Sequence, residues 1–278
     1  MTGSIAAELL VLRKRTGVWI LLAIWTALAV FFAYALPYVS FLNNGGTAAR
    51  SVPTDILPAQ LVGTLIVGFP FFGGATALIL GVLAMGSDYD WGTLKTLFIQ
   101  RPGRMQVFGA KLAALGIVLA PFVLTVFAAG AACSLLIAWW DSASLSPPSA
   151  WLVLRASVGA WLILAVWTAL GAMLAVLSRG TALAVGIGIL YALVVEGLIS
   201  AFASQIGALE SLVQYFVRAN AYSLAQTLGA SMEESADNGP GSFSGPYVGG
   251  DQALLVLGAY LLLFLGVSGW VLRRRDVT

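Results

Sequence analysis

Few side chains in this protein could carry chemistry. In 278 residues there are twelve carboxylates, one cysteine (Cys133) and no histidine. Histidine acid–base catalysis and Cys/His metal sites are therefore excluded, and a lone thiol cannot close an intrachain disulfide. Asp88 and Asp90 lie close together, but with no His, Cys or further acid nearby they read as helix-start residues and not as a catalytic or metal pair. Glu196 is different: it is the one carboxylate set well inside an apolar run. Counted from Thr181 at 1.5 Å per residue, it stands about 22 Å along a helix.

The elements that hold these groups follow from the distribution of charge. The chain is 60% hydrophobic and 9% charged, with a mean hydropathy of +0.94; a soluble domain carries about 25% charged residues. Uncharged windows cover residues 16–49, 56–87, 112–140, 156–178, 180–195 and 252–272. Each supplies most or all of the roughly 20 residues a helix needs to cross a hydrocarbon core of about 30 Å. Backbone groups in lipid must bond internally, so helices are expected. The sequence predicts an all-α, polytopic membrane protein: one transmembrane domain over 1–278 with spans near 17–38, 62–86, 109–137, 152–177, 181–203 and 252–272.

Orientation follows from counting cations. Of the fourteen Lys and Arg, only Arg50, Arg155 and Arg218 fall outside if the N-terminus is inside. The positive-inside rule then puts both termini in the cytoplasm. Trp139, Trp140 and Trp151 suit an outer aromatic belt, and Trp270 an inner one. Spans 4 and 5 are joined by Ser178-Arg179-Gly180 alone. The outer segment 204–250 is long: its first half, with Ile206, Leu209, Leu212, Val213, Phe216 and Val217 at helical spacing, reads as an amphipathic helix on the outer surface, and Asn238 to Gly250 as irregular chain. Pro70 and Pro121 fall within spans as candidate kinks. The pairs Ala77/Gly81, Ala182/Gly186 and Ala184/Gly188 permit close helix approach, with generic packing preferred over a dimer seam.

Two inner segments carry more than orientation. In 88–104, Trp91, Leu94, Leu97 and Phe98 make one apolar stripe, with Asp88 and Asp90 at the start and Pro102-Gly103 as a stop. Such a helix lies on the inner surface or docks against another protein. Near the N-terminus, Ser4 is placed to cap a helix over about 4–15 whose Ile5, Leu9 and Leu12 share a face ahead of Arg13-Lys14-Arg15.

Glu8-Leu9-Leu10 before a basic cluster, then Asp90-Trp91-Gly92-Thr93-Leu94-Lys95, Arg101-Pro102-Gly103-Arg104, Lys111 at the mouth of span 3, and Arg273-Arg274-Arg275-Asp276 complete a pattern. Together with six spans it resembles the type-2 ABC exporter permeases. Gly92-Thr93-Leu94-Lys95 fits that family's motif, whereas its acidic position is Asp88 here and Glu in the family. Asn220-Ala221 resembles the outer re-entrant helices of these proteins. The resemblance implies an N-terminal elbow helix and a cytoplasmic coupling helix in 88–104. Its ATPase-coupling residues would be Asp88, Asp90, Trp91, Gly92, Thr93, Leu94, Lys95, Phe98, Arg101 and Arg104. It also implies a dimer, either homodimeric or with a related permease, that recruits two separate ATPases.

The chain has no Gly-Lys pair, hence no G-x-x-x-x-G-K-[ST] phosphate loop, so ATP and Mg are expected on the partner and no cofactor on this chain. With no His and no Asp inside any span, an intramembrane enzyme has little to work with. Glu196 is a candidate for the translocation path or dimer interface, against structural pairing with Arg155 or Arg218 or snorkelling to the headgroups. Apolar spans suit an amphipathic or hydrophobic cargo (antibiotic, peptide or lipid), and Arg-over-Lys usage suggests a bacterial plasma membrane. A non-transporting sensor or assembly scaffold working with an ATPase is the alternative.

Overall fold

The computed structural model describes residues 2–43, 52–92, 103–203, 211–230 and 247–274. Among these there is no strand, and six helices are long and apolar enough to cross a membrane. Helix α1 (Thr2–Lys14) turns at Arg15 into α2 (Thr16–Asn43). The short α3 (Leu61–Ile66) leads into α4 (Phe69–Asp90), followed by α5 (Arg104–Trp140) and α6 (Ala150–Ser178). Helix α7 comprises Thr181–Ile189, a π-turn at Leu190–Val195 and Glu196–Ala203. The chain then forms α8 (Val217–Thr227) and α9 (Gly250–Arg274). The span-length helices are α2, α4, α5, α6, α7 and α9.

Connectivity puts the starts of α2, α5 and α7 beside the ends of α4, α6 and α9 at one end of the bundle, together with α1. The far end holds α3 and α8. The α6–α7 hairpin is as short as the sequence suggests. Ser149 opens α6 by accepting from the Leu152 amide at 3.2 Å, and Arg179, left-handed at φ +56°, closes it by donating to the Ala175 carbonyl at 2.9 Å.

The core is built around α4 and α6, whose most apolar windows are each 72% buried against 24–39% for the other four. Glycine allows this contact: a Cβ at Gly81 would run into the Thr168 carbonyl, and one at Gly171 into the Leu78 carbonyl. Thr168 also donates to the Ala77 carbonyl at 3.2 Å. The Ala77/Gly81 pair thus serves a helix crossing within the chain. Gly188 faces Leu78, while Gly186 faces open space.

Three spans contain a π-turn, at Phe31–Ala35, Phe69–Gly73 and Leu190–Val195. Pro70 lies in the second, where its missing amide breaks the ordinary ladder and Gly73 bonds five residues back to Gly68 at 3.1 Å. Pro121 does not interrupt α5, and one turn earlier Trp161 of α6 donates to the Gly116 carbonyl at 2.8 Å.

Three local expectations are corrected. Helix α1 begins at Thr2, so Ser4 lies inside it and is not its cap. Asp88 and Asp90 end α4 and do not start a new helix: the helix runs on to Asp90, where Lys111 pairs with Asp88 and Thr181 donates to Asp90. The outer amphipathic stretch does not run unbroken to Val217: the chain turns at 214–216, Phe216 is extended (φ −69°, ψ 150°), and Val217 starts a separate helix. Residues 204–210 and 231–246 lie outside the described residues.

Candidate functional site

The charged groups flagged near the N-terminal end converge on Lys111, two turns into α5. The residue is 7% exposed, and a charge so enclosed requires counter-charges. Two carboxylates supply them: Glu8 Oε2 of α1 at 2.9 Å and Asp88 Oδ2 of α4 at 2.8 Å. The α1 face that carries Ile5, Glu8, Leu9 and Leu12 is turned inward, with Leu12 fully buried. Helical spacing therefore delivers the carboxylate together with the apolar residues that seat it.

Arg15, at the α1–α2 corner, adds the second cation. It donates through Nη1 to the Leu83 carbonyl and through Nη2 to Ser87 Oγ, both at 2.6 Å, and lies 5.2 Å from the centre of the Trp91 ring. A cation is favoured here because the site lies toward the C-terminal, negative end of the α4 dipole. Asp88 is opposed by that dipole, and Lys111 offsets the cost. Asp90 serves a distant helix: it accepts from Thr181 Oγ1 at 2.7 Å, at the positive end of α7. The crevice within this clamp is lined by Glu8, Val11, Leu12, Arg15, Ala84, Asp88 and Lys111.

Of the expected coupling residues, Asp88 and Asp90 belong to the clamp and Trp91 is 70% exposed at its rim. Gly92 sits in a left-handed turn at φ +64°, which glycine accepts without a Cβ clash. Thr93, Leu94, Lys95, Phe98 and Arg101 lie outside the described residues, as does the Arg104 side chain; Gly103 precedes the first residue of α5. The pairing of Glu8 with Lys111, across 103 positions, has no local signal in the sequence.

Glu196 is fully buried at the far end of the bundle, and it caps a helix from another segment. Oε1 accepts from the Val217 amide at 3.1 Å and Oε2 from the Arg218 amide at 3.0 Å, satisfying two free amides at the start of α8. Arg218, itself 6% exposed, lies over the rings of Phe71 (5.0 Å) and Tyr222 (5.6 Å). Burial pushes the Tyr222 hydroxyl up to about 12 against the pull of Arg218, so it stays protonated in the neutral range. Asn220 donates to the Gln214 and Phe216 carbonyls, both at 2.8 Å, and Ser223 accepts from the Val248 amide at 3.0 Å. Helix α8 is thus polar in sequence yet buried from Val217 to Ala225. Arg155, an expected partner of Glu196, is exposed on α6 and takes no part in the cap.

Among the described residues no group of three or more His, Cys, Asp or Glu could hold a metal ion. A family model described as "Protein of unknown function (DUF2705)" matches residues 20–278. The chain belongs to the DUF2705 family. The DUF2705 match takes in Asp88, Lys111, Glu196 and α8, and leaves α1 and Arg15 outside it. No curated protein matches the chain.

Proposed function

We propose that this chain is the permease subunit of an ABC exporter, forming the translocation pathway as a dimer and driven by separate ATP-binding subunits. The observation that supports this most is the clamp: one buried ammonium joins α1 to the junction of α4 and α5. A push that reaches Asp88 and Lys111 would pass into two spans and the N-terminal helix together. The motif resemblance over Gly92-Thr93-Leu94-Lys95 supplies the motor class, and the absence of a phosphate loop from these 278 residues supports a separate motor.

In this reading α1 is the elbow helix, both termini are cytoplasmic and the membrane is a bacterial plasma membrane. Trp91, Leu94 and Phe98 pack into a groove on the ATPase, while Lys95, Arg101 or Arg104 pairs with its acidic rim. ATP-driven closure of the motor pair tilts α4 and α5, a two-state rearrangement. The weakly charged spans favour an amphipathic or hydrophobic cargo. The test is purification of the full-length chain with its ATPase from native membranes, comparing the parent with Leu94→Glu/Phe98→Glu. Loss of a stoichiometric, ATP-hydrolysing partner in the variant is expected. An unchanged complex yield defeats the assignment, and a complex that hydrolyses ATP in liposomes but moves no amphipathic cargo favours the sensor or scaffold.

A further inference from the structure

The two ends of the bundle differ in what they show to solvent. At the N-terminal end Arg13, Lys14, Arg179, Arg273 and Arg274 are exposed, whereas of the carboxylates there Glu8 and Asp88 are taken up by Lys111 and Asp90, which accepts from Thr181, stays exposed. At the far end Arg155 is the exposed cation among the described residues, beside exposed Asp55 and Asp251. Both ends carry outward tryptophans, as a protein with two lipid–water boundaries should. Trp139, Trp140 and Trp151 mark the far one.

At the N-terminal end exposed tryptophans adjoin the basic pairs in sequence and in space. Trp19, 54% exposed, donates from its indole to the Arg13 carbonyl at 2.7 Å, and the Arg274 guanidinium lies 4.7 Å from the centre of the exposed Trp270 ring. At Trp270 a ring at the hydrocarbon edge with a cation over it matches an anionic headgroup at the end of an acyl chain, and at Trp19 the ring is tied to the backbone that carries Arg13 and Lys14. Leu10 and Val11 of α1, both about half exposed, extend the apolar side of the same surface.

We propose that this rim binds acidic phospholipids, with one headgroup site at Arg13-Lys14 and another at Arg273-Arg274. The phosphodiester pairs with the adjacent cations, and its acyl chains run down beside Trp19 or Trp270. An acidic protein suits the rim less well, because the cations adjoin lipid-depth rings and are split between the α1–α2 corner and the end of α9. This rests on the six-span architecture and not on the exporter reading.

The test is native mass spectrometry of the full-length chain in detergent with equal amounts of phosphatidylglycerol and phosphatidylcholine. Phosphatidylglycerol should be retained preferentially, in up to two copies and less so as salt rises. Arg13→Gln/Lys14→Gln and Arg273→Gln/Arg274→Gln should each weaken one of the two sites, roughly fivefold per cation removed, so that each variant keeps one copy and their combination keeps none. Arg155→Gln should leave it unchanged and controls for net charge. Equal retention of the two lipids by the parent chain, or the same loss in Arg155→Gln, overturns the proposal. So does a rim variant that keeps its lipid preference but loses a stoichiometric acidic protein.

Discussion

Removing the Lys111 ammonium should release α1 from the bundle. At an effective dielectric of about 20, unit charges 2.9 Å apart attract by roughly 6 kcal/mol. Desolvation of the ammonium and repulsion between the two carboxylates offset most of that attraction. Lys111→Met keeps the side-chain bulk but leaves Glu8 and Asp88 facing one another, each side chain 14% exposed. Breaking a fully buried pair costs 3–5 kcal/mol. Partial solvent access and the Arg15 charge put this case at the low end, about 3 kcal/mol, or roughly a hundredfold in the docking equilibrium of α1. The readout is hydrogen exchange of the α1 amides in the full-length chain in nanodiscs, with chemical unfolding in mixed micelles. Glu8→Gln and the double variant close a cycle whose coupling energy should exceed about 1 kcal/mol. Coupling below about 0.3 kcal/mol, with α1 exchange unchanged in Lys111→Met, would refute the clamp.

At the other end, Glu196→Gln keeps one acceptor for the α8 amides and should cost about 2 kcal/mol, whereas Glu196→Ala orphans both and should cost about 4 kcal/mol. Equal losses in chemical unfolding would show that the carboxylate does not cap α8. In the α4–α6 seam, Gly171→Val forces two backbones apart and should destabilise by about 3 kcal/mol or more, while Gly186→Val, in open space, should stay within about 0.5 kcal/mol. Similar unfolding midpoints for these two variants would remove the seam from the core.

The six helices were legible because hydrocarbon admits little else: a charge-free run long enough to cross it must satisfy its own backbone. The short α6–α7 hairpin followed from the single residue separating two such runs. Less legible was where helices stop. Asp88 and Asp90 look like helix-start residues because carboxylates favour the positive dipole end, yet they close α4, held there by Lys111 and Thr181 from distant segments. Helix α8 shows the same limit. The apolar spacing up to Val217 suggests an amphipathic helix on the outer surface, yet α8 is buried, because Glu196 and Ser223 satisfy groups that water would otherwise serve.

Solvent selection acts on each residue separately, so composition and charge order alone determined that this is an all-helical protein with six span-length helices and one strongly basic side. Partner choice acts on pairs, and pairs form only when helices pack. That Lys111 meets Glu8 and Asp88, that Glu196 caps a helix about twenty residues further on, and that α4 and α6 touch through glycine were decided by tertiary structure. Burying a charge or a free amide is tolerable only where another segment arrives with the complementary group, and no local pattern announces which segment that will be.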